Sequence, residues 1–203
     1  MAAASPEPTA AEGPAWREDP RRQHFLAALR DSAPEVREAA SRALERLERR
    51  ADLATLLERA QAADPGTRVA AIYELGTLAD PGALPVLVHA LRDPVEDVRV
   101  VAVRTLGELR EPNAVAPIAQ CLEDPSVHVR RHAVEALGRF ADRRLASLLC
   151  TMLAAPETEI LAAALRALGA CREAACAHEI VPLLTHVDAP VRAAAIEALA
   201  RLD

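Results

Sequence analysis

His128, His132 and Glu135 have the most conspicuous chemistry in this 203-residue chain. On a helix, their i, i+4, i+7 spacing puts two imidazoles and a carboxylate on one outward face. That donor set can hold Zn²⁺ or Fe²⁺. Arg130 and Arg131 stand between them, and exposed histidines on a helix are satisfied by water, so no metal is expected there. Cys171, Cys176 and His178 form a C-x4-C-x-H cluster near a turn, without an evident fourth ligand, and no metal is expected there either. Cys171 and Cys150 occupy positions that are apolar elsewhere in the chain, which fits small core residues. No Ser-His-Asp order, Gly-rich phosphate loop or other nucleophile motif is present, so no catalytic site is expected.

The elements that must carry these residues follow a fixed period. Arg37, Arg68, Arg99, Arg130 and Arg192 are spaced by 31, 31, 31 and 62 residues, and Leu161 fills the missing place. The segments "VREAASRALERL", "TRVAAIYELGTL", "VRVVAVRTLGEL", "VRRHAVEALGRF", "ILAAALRALGAC" and "VRAAAIEALARL" share one pattern. Counted from the Arg as zero, apolar residues recur at −1, +3, +4, +7 and +10, an arc of about 140° and hence an amphipathic helix. Second apolar segments such as "PGALPVLVHAL" lie between, punctuated by Asp-Pro and Ala-Pro turns. Each unit is thus a helical hairpin, and six fit after about residue 20. One hairpin cannot cover its own apolar face, so neighbours must stack. The predicted fold is all-α, a right-handed solenoid over 19–203. Pro182 predicts a kink or a shifted helix start.

The zero position puts a permanent charge on the apolar stripe, which needs a partner. Asp31, Asp93 and Asp124 stand six residues before Arg37, Arg99 and Arg130, and Asp64 stands four before Arg68. In the fifth unit both members are replaced together, by Ala155 and Leu161. This reads as a ladder of Asp and Arg stapling each turn to its neighbour.

Aromatic residues make up 2% of the chain and hydrophobic residues 51%, so the core must be Ala, Leu and Val, which suits packed helices. All 24 basic residues are Arg, as a GC-rich coding bias would give, and the net charge of −6 disfavours nucleic acid. No apolar run approaches a membrane span, and the start lacks a secretory signal. The four unevenly spaced cysteines then suggest a cytoplasmic protein with reduced thiols. Residues 1–18, rich in Ala and Pro, are expected to be a disordered tail.

With its D-P turn, V-R start and A-L-G centre, the repeat resembles HEAT-like repeats of the phycobilin-lyase type over nearly the whole chain after residue 20. The units at 93–123 and 124–154 match best; Glu45 and Ala200 replace the glycine seen at Gly76, Gly107, Gly138 and Gly169. The resemblance implies that the V-R helices line a concave groove, and that members range from adaptors to enzymes. Deoxyhypusine hydroxylase, which shares the fold, uses repeated His-Glu pairs on inner helices. Here those places read "VA", "VV", "RH" and "AA", and the single His178-Glu179 is on the other helix class, so that activity is not expected. HEAT-like DNA glycosylases use a basic concavity with aromatic residues; this chain's only Trp, Trp16, is in the tail. Nothing marks a bilin site, although a HEAT-like enzyme or accessory subunit, bilin-lyase-like or metal-dependent and hydroxylase-like, remains the alternative.

On this reading the chain is a non-catalytic scaffold or adaptor for another protein or peptide. Val69, Tyr73, Val100 and Val101 would form an apolar contact beside Arg104. Arg131, His132, Glu135 and Arg166 would orient the partner, although the alternating charges Arg104, Glu135, Arg166 and Glu197 also suit pairing between adjacent repeats. The last helix has no evident polar cap, which allows end-to-end self-association. No cofactor is expected.

Overall fold

The computed structural model describes residues 19–202, and among them every regular element is helical. The expected disorder of residues 1–18 falls outside the described residues. Two compact units divide at Glu58 and Arg59.

The first unit holds α1 (Pro20–Ala28) and nearly all of α2 (Pro34–Arg59). Asp19 caps α1 by accepting the Arg21 N–H at 2.8 Å. Ala40, Leu44, Leu47 and Leu56 are the buried residues of α2. The repeat period predicts a turn near residue 49, yet α2 continues unbroken for 26 residues. The later repeats explain the difference. Each of their turns is opened by a left-handed residue, namely Ala79, Arg110, Ala141 or Arg172, at φ between 49° and 53°. An acidic residue follows at once. Asp80, Asp142 and Glu173 accept the backbone N–H of Gly82, Arg144 and Ala175 and so start the next helix. In the first repeat Arg49 holds that register and offers no acceptor, while the surrounding "ERLERRADLATLLER" is rich in strong helix formers.

The second unit contains the V-R helices α3 (Pro65–Leu78), α5 (Glu96–Leu109), α7 (Val127–Arg139), α9 (Thr158–Cys171) and α11 (Ala189–Leu199). Each packs against the next in sequence order. The intervening helices are short: α4 (Leu84–Ala90), α6 (Val115–Gln120), α8 (Ala146–Thr151) and α10 (Ala177–Ile180), each entered through a 3₁₀ turn. At Pro182 the last of these shortens to four residues and continues as 3₁₀ helix over Val181–Thr185, the predicted disruption. The core is aliphatic, with Ile72, Leu75, Leu87, Leu106, Ile118, Leu137, Leu149, Ile160 and Leu165 fully buried. Thr105 is the one buried polar residue among those described.

Small residues set the helix spacing. A Cβ built on Gly107 would lie 2.6 Å from Ala136 Cβ, and one on Gly138 would lie 2.7 Å from Ala167 Cβ. The A-L-G glycine, at +8 on one helix, therefore admits the +6 residue of the next. Only a residue without Cβ allows that approach.

Candidate partner-binding face

The zero-position arginines fix how successive V-R helices sit. Arg99 Nε and Nη2 donate to Asp124 Oδ2 and Oδ1 at 2.8 and 3.0 Å, a bidentate pair. Its Nη1 donates to the carbonyls of Asp93 and Pro94 at 2.9 and 3.3 Å. Arg68 repeats this with the Asp93 carboxylate and the Ala62 and Ala63 carbonyls. The expected partner six residues upstream is thus corrected. Asp93 and Asp124 give Arg99 and Arg130 a backbone carbonyl. The carboxylate comes from the following repeat, 25 residues downstream for Arg68 and Arg99 and 27 for Arg130. Asp31 likewise gives Arg37 its carbonyl, and its carboxylate accepts the Ala33 N–H. The Asp64 carboxylate does not bond the Arg68 guanidinium; it caps α3 by accepting from Thr67 N and Oγ1, at 2.7 Å each, while the Asp64 carbonyl accepts the Arg68 backbone N–H at 3.2 Å.

The fifth-unit reading changes in the same way. Arg130 keeps a carboxylate after the loss at Ala155, because Glu157 reaches its Nη2 at 2.6 Å. Leu161 is buried, and 25 residues after it stands His186, whose carbonyl accepts from Arg192. For Asp93, burial raises the carboxyl pKa, but the Arg68 hydrogen bond, the Val95 N–H and the charges of Arg68 and Arg99 outweigh it and hold it below the ordinary value.

On the face these helices present, the candidate residues fall into three groups. Tyr73 is 63% exposed on α3, and Arg104 and Arg166 are exposed on α5 and α9. Val69, Val100 and Val101 are half-buried beside them. Arg131, His132 and Glu135 are committed to one another. Arg131 Nη1 donates to Glu135 Oε1 at 2.9 Å, and His132 Nδ1 meets Glu135 Oε2 at 3.0 Å. The suggested pairing of Arg104 or Arg166 with Glu135 is therefore absent, and among the described residues neither arginine has a hydrogen-bond or ion-pair partner. Hollows of about 280 and 410 Å³ flank Arg166, one beside Glu135 and Arg139, the other beside Arg131, Glu159 and Pro190.

His132 also disposes of the first metal candidate. Arg131 Nη2 lies 3.0 Å from its Nε2 and can only donate, so Nε2 accepts and Nδ1 carries the proton given to Glu135. Both ring nitrogens are taken, and His128, exposed, does not join them in a metal-sized cluster. Burial and then the Arg131 charge lower the His132 pKa, with Glu135 opposing. The unfolded imidazole gains its proton as pH falls through about 6.5, whereas the folded one resists. Stability from this site is therefore complete above that pH and declines below it. Urea midpoints at pH 7.5 and 5.5 are expected to differ more in the native chain than in His132→Gln.

Cys171, Cys176 and His178 do not assemble as the sequence suggested. Cys171 is buried in α9, and burial raises its thiol to about 11, as it does for Cys121. Cys150, read as a core residue, is only half-buried and meets Cys176 and Glu179 instead. That grouping joins α8 to the start of α10, and no local sequence spacing marks it.

An array of stacked two-helix repeats defines the class of α-solenoid proteins. The pattern of HEAT repeats matches residues 22–99 and 90–164, and the chain belongs to that family. Comparison with curated proteins gave no match. Among solved structures, the complex of CpcE and CpcF of phycocyanin lyase from Nostoc sp. PCC7120 is 28% identical, with a TM-score of 0.66. The match covers 74% of this chain and 64% of that one, so this chain spans less than two thirds of the lyase subunit. A designed armadillo repeat protein in complex with the peptide (KR)4 is 20% identical over 91% of this chain and 100% of its own, with a TM-score of 0.61. An engineered protein, 18% identical over 89% of this chain and 96% of its own, has a TM-score of 0.58. No described helix is long and apolar enough to cross a membrane.

Proposed function

We propose that the chain is a non-catalytic protein-binding scaffold of the cytoplasm, holding an extended acidic segment of a partner protein across its V-R helices. The observation that carries this reading is the pair of exposed, unpartnered arginines, Arg104 and Arg166, on the same face as the exposed Tyr73. Glu135 sits between these two in the repeat order but pairs with Arg131 and His132, which leaves both guanidinium groups open to a partner's carboxylates. Arg and Tyr are residue types that dominate interface energies. Interaxial spacings of 8–10 Å put α5 and α9 about 16–20 Å apart. An extended peptide covers that span in about 5–6 residues. Two carboxylates at that spacing, preceded by an apolar residue for Tyr73, define the segment.

A peptide array of that design tests it, with affinities of hits measured by fluorescence anisotropy. Tyr73→Ala and Arg104→Ala are each expected to weaken binding about tenfold or more, without changing the far-ultraviolet dichroism. Hits that bind both variants as tightly as the native chain would show the face to be wrongly assigned.

The 28% identity to a lyase subunit supports a second reading, an accessory subunit of a two-chain bilin lyase. A tetrapyrrole absorbance that copurifies with the chain, or appears on adding bilin, would favour it over the scaffold.

A further inference from the structure

The geometry points to a thiolate metal site at Cys150, Cys176 and Glu179, binding one Zn²⁺ and clamping the last two hairpins together. The ligand atoms of these three residues all lie within 4.8 Å of one another. Cys150 Sγ is 3.7 Å from Glu179 Oε2. Around tetrahedral zinc, bond lengths of about 2.0–2.3 Å place neighbouring ligand atoms roughly 3.4–3.8 Å apart. The observed edge has that length, and the remaining contraction needs only side-chain torsion. Two sulfurs and a carboxylate oxygen are a donor set for Zn²⁺ rather than Mg²⁺ or Ca²⁺.

The surroundings leave room for a cation and a fourth ligand. A cavity of about 580 Å³ opens beside the three residues, lined also by Ser147, Thr151, Glu173, His178, Arg143 and Arg144, the last paired with Asp142. Among the described residues no arginine pairs with Glu179, whose contacts are the Cys150 thiol and the His178 ring. The Ala175 carbonyl can only accept, so His178 Nδ1 donates to it at 2.7 Å, which leaves Nε2 turned 3.4 Å from Glu179 Oε1. An imidazole oriented by a backbone carbonyl in this way is the usual setting of a zinc-side histidine. The fourth position therefore faces the cavity, where water or His178 completes the tetrahedron.

The ligands come from different hairpins. Cys150 is on α8, Cys176 ends the 3₁₀ turn Ala174–Cys176, and Glu179 is on α10. Bound metal would link repeats where the arginine–carboxylate contact is missing, since Leu161 replaces the arginine there. This site is independent of the partner-binding face and its test is separate.

Titrating the reduced full chain with Zn²⁺ is expected to show uptake of one equivalent and a melting temperature raised by roughly 5 °C at a hundredfold excess over Kd. Co²⁺ in its place should give a thiolate-to-metal charge-transfer band. Cys150→Ala and Glu179→Gln, both at incompletely buried positions, are expected to weaken uptake about 100-fold or more. Cys121→Ala and Cys171→Ala are expected to retain it. No uptake by the native chain, or undiminished uptake by both Cys150→Ala and Glu179→Gln, would overturn the site.

Discussion

Arg99→Leu is expected to destabilise the second unit by about 3 kcal/mol, measured by urea unfolding. The side chains of Arg99 and Asp124 are only 13% and 8% exposed, so the pair is held largely out of water. Removing the guanidinium takes away two charge-assisted bonds and leaves the Asp124 carboxylate buried with the Ser126 N–H as its remaining donor. The Asp93 and Pro94 carbonyls lose their donor as well. An uncompensated buried charge is the costly outcome. Adding Asp124→Leu should therefore recover part of the loss, and the double-mutant cycle reads the coupling directly. Arg130→Leu should cost less, because that arginine and Glu157 are 21% and 29% exposed and share a single carboxylate bond. Equal losses in the two single variants, with no recovery in the double, would show that burial is not what sets the energy.

Gly107→Val and Gly138→Val are expected to cost 3 kcal/mol or more, roughly the upper end of overpacking. Even a single methyl at Gly107 would stand 2.9 Å from Ala136 Cα, and one at Gly138 2.9 Å from Ala167 Cα. Backbone atoms cannot turn aside as a side-chain end can, so the helices must separate. Alanine at either position gains about 1 kcal/mol of helix propensity, and the clash outweighs it, leaving a net loss of about 1–2 kcal/mol. Gly66→Ala is the control. Its Cβ meets only the Asp64 carboxylate, at 3.3 Å, and propensity should leave it neutral or stabilising. Urea midpoints for the five variants give the ranking. A Gly107→Ala chain as stable as native would mean that the helices adjust without cost.

The repeat itself was written in residue types. The 31-residue recurrence of V-R, of apolar residues at fixed offsets and of Asp-Pro and Ala-Pro turns predicts hairpins and their stacking. The continuous α2 departs from that period, and its signal is Arg49, which stands where Asp80, Asp142 and Glu173 cap their helices. The exposure of the proposed partner-binding face was legible in part. The outward position of Tyr73 and Arg104 followed from helical period, whereas His132 was read as available and proves to be spent on Arg131 and Glu135.

The arginine ladder separates the two kinds of information most clearly. In a strict 31-residue repeat, a residue six places before an arginine and one 25 places after it belong to the same class of position, so sequence reading cannot say which carboxylate is bound. Only the stacking of α3, α5 and α7 decides it, by carrying each guanidinium across to the next hairpin's turn. The meeting of Cys150 with Cys176 and Glu179 has the same origin. Composition and period determine which faces must be buried; the side-by-side packing of neighbouring hairpins determines which polar atoms meet once they are.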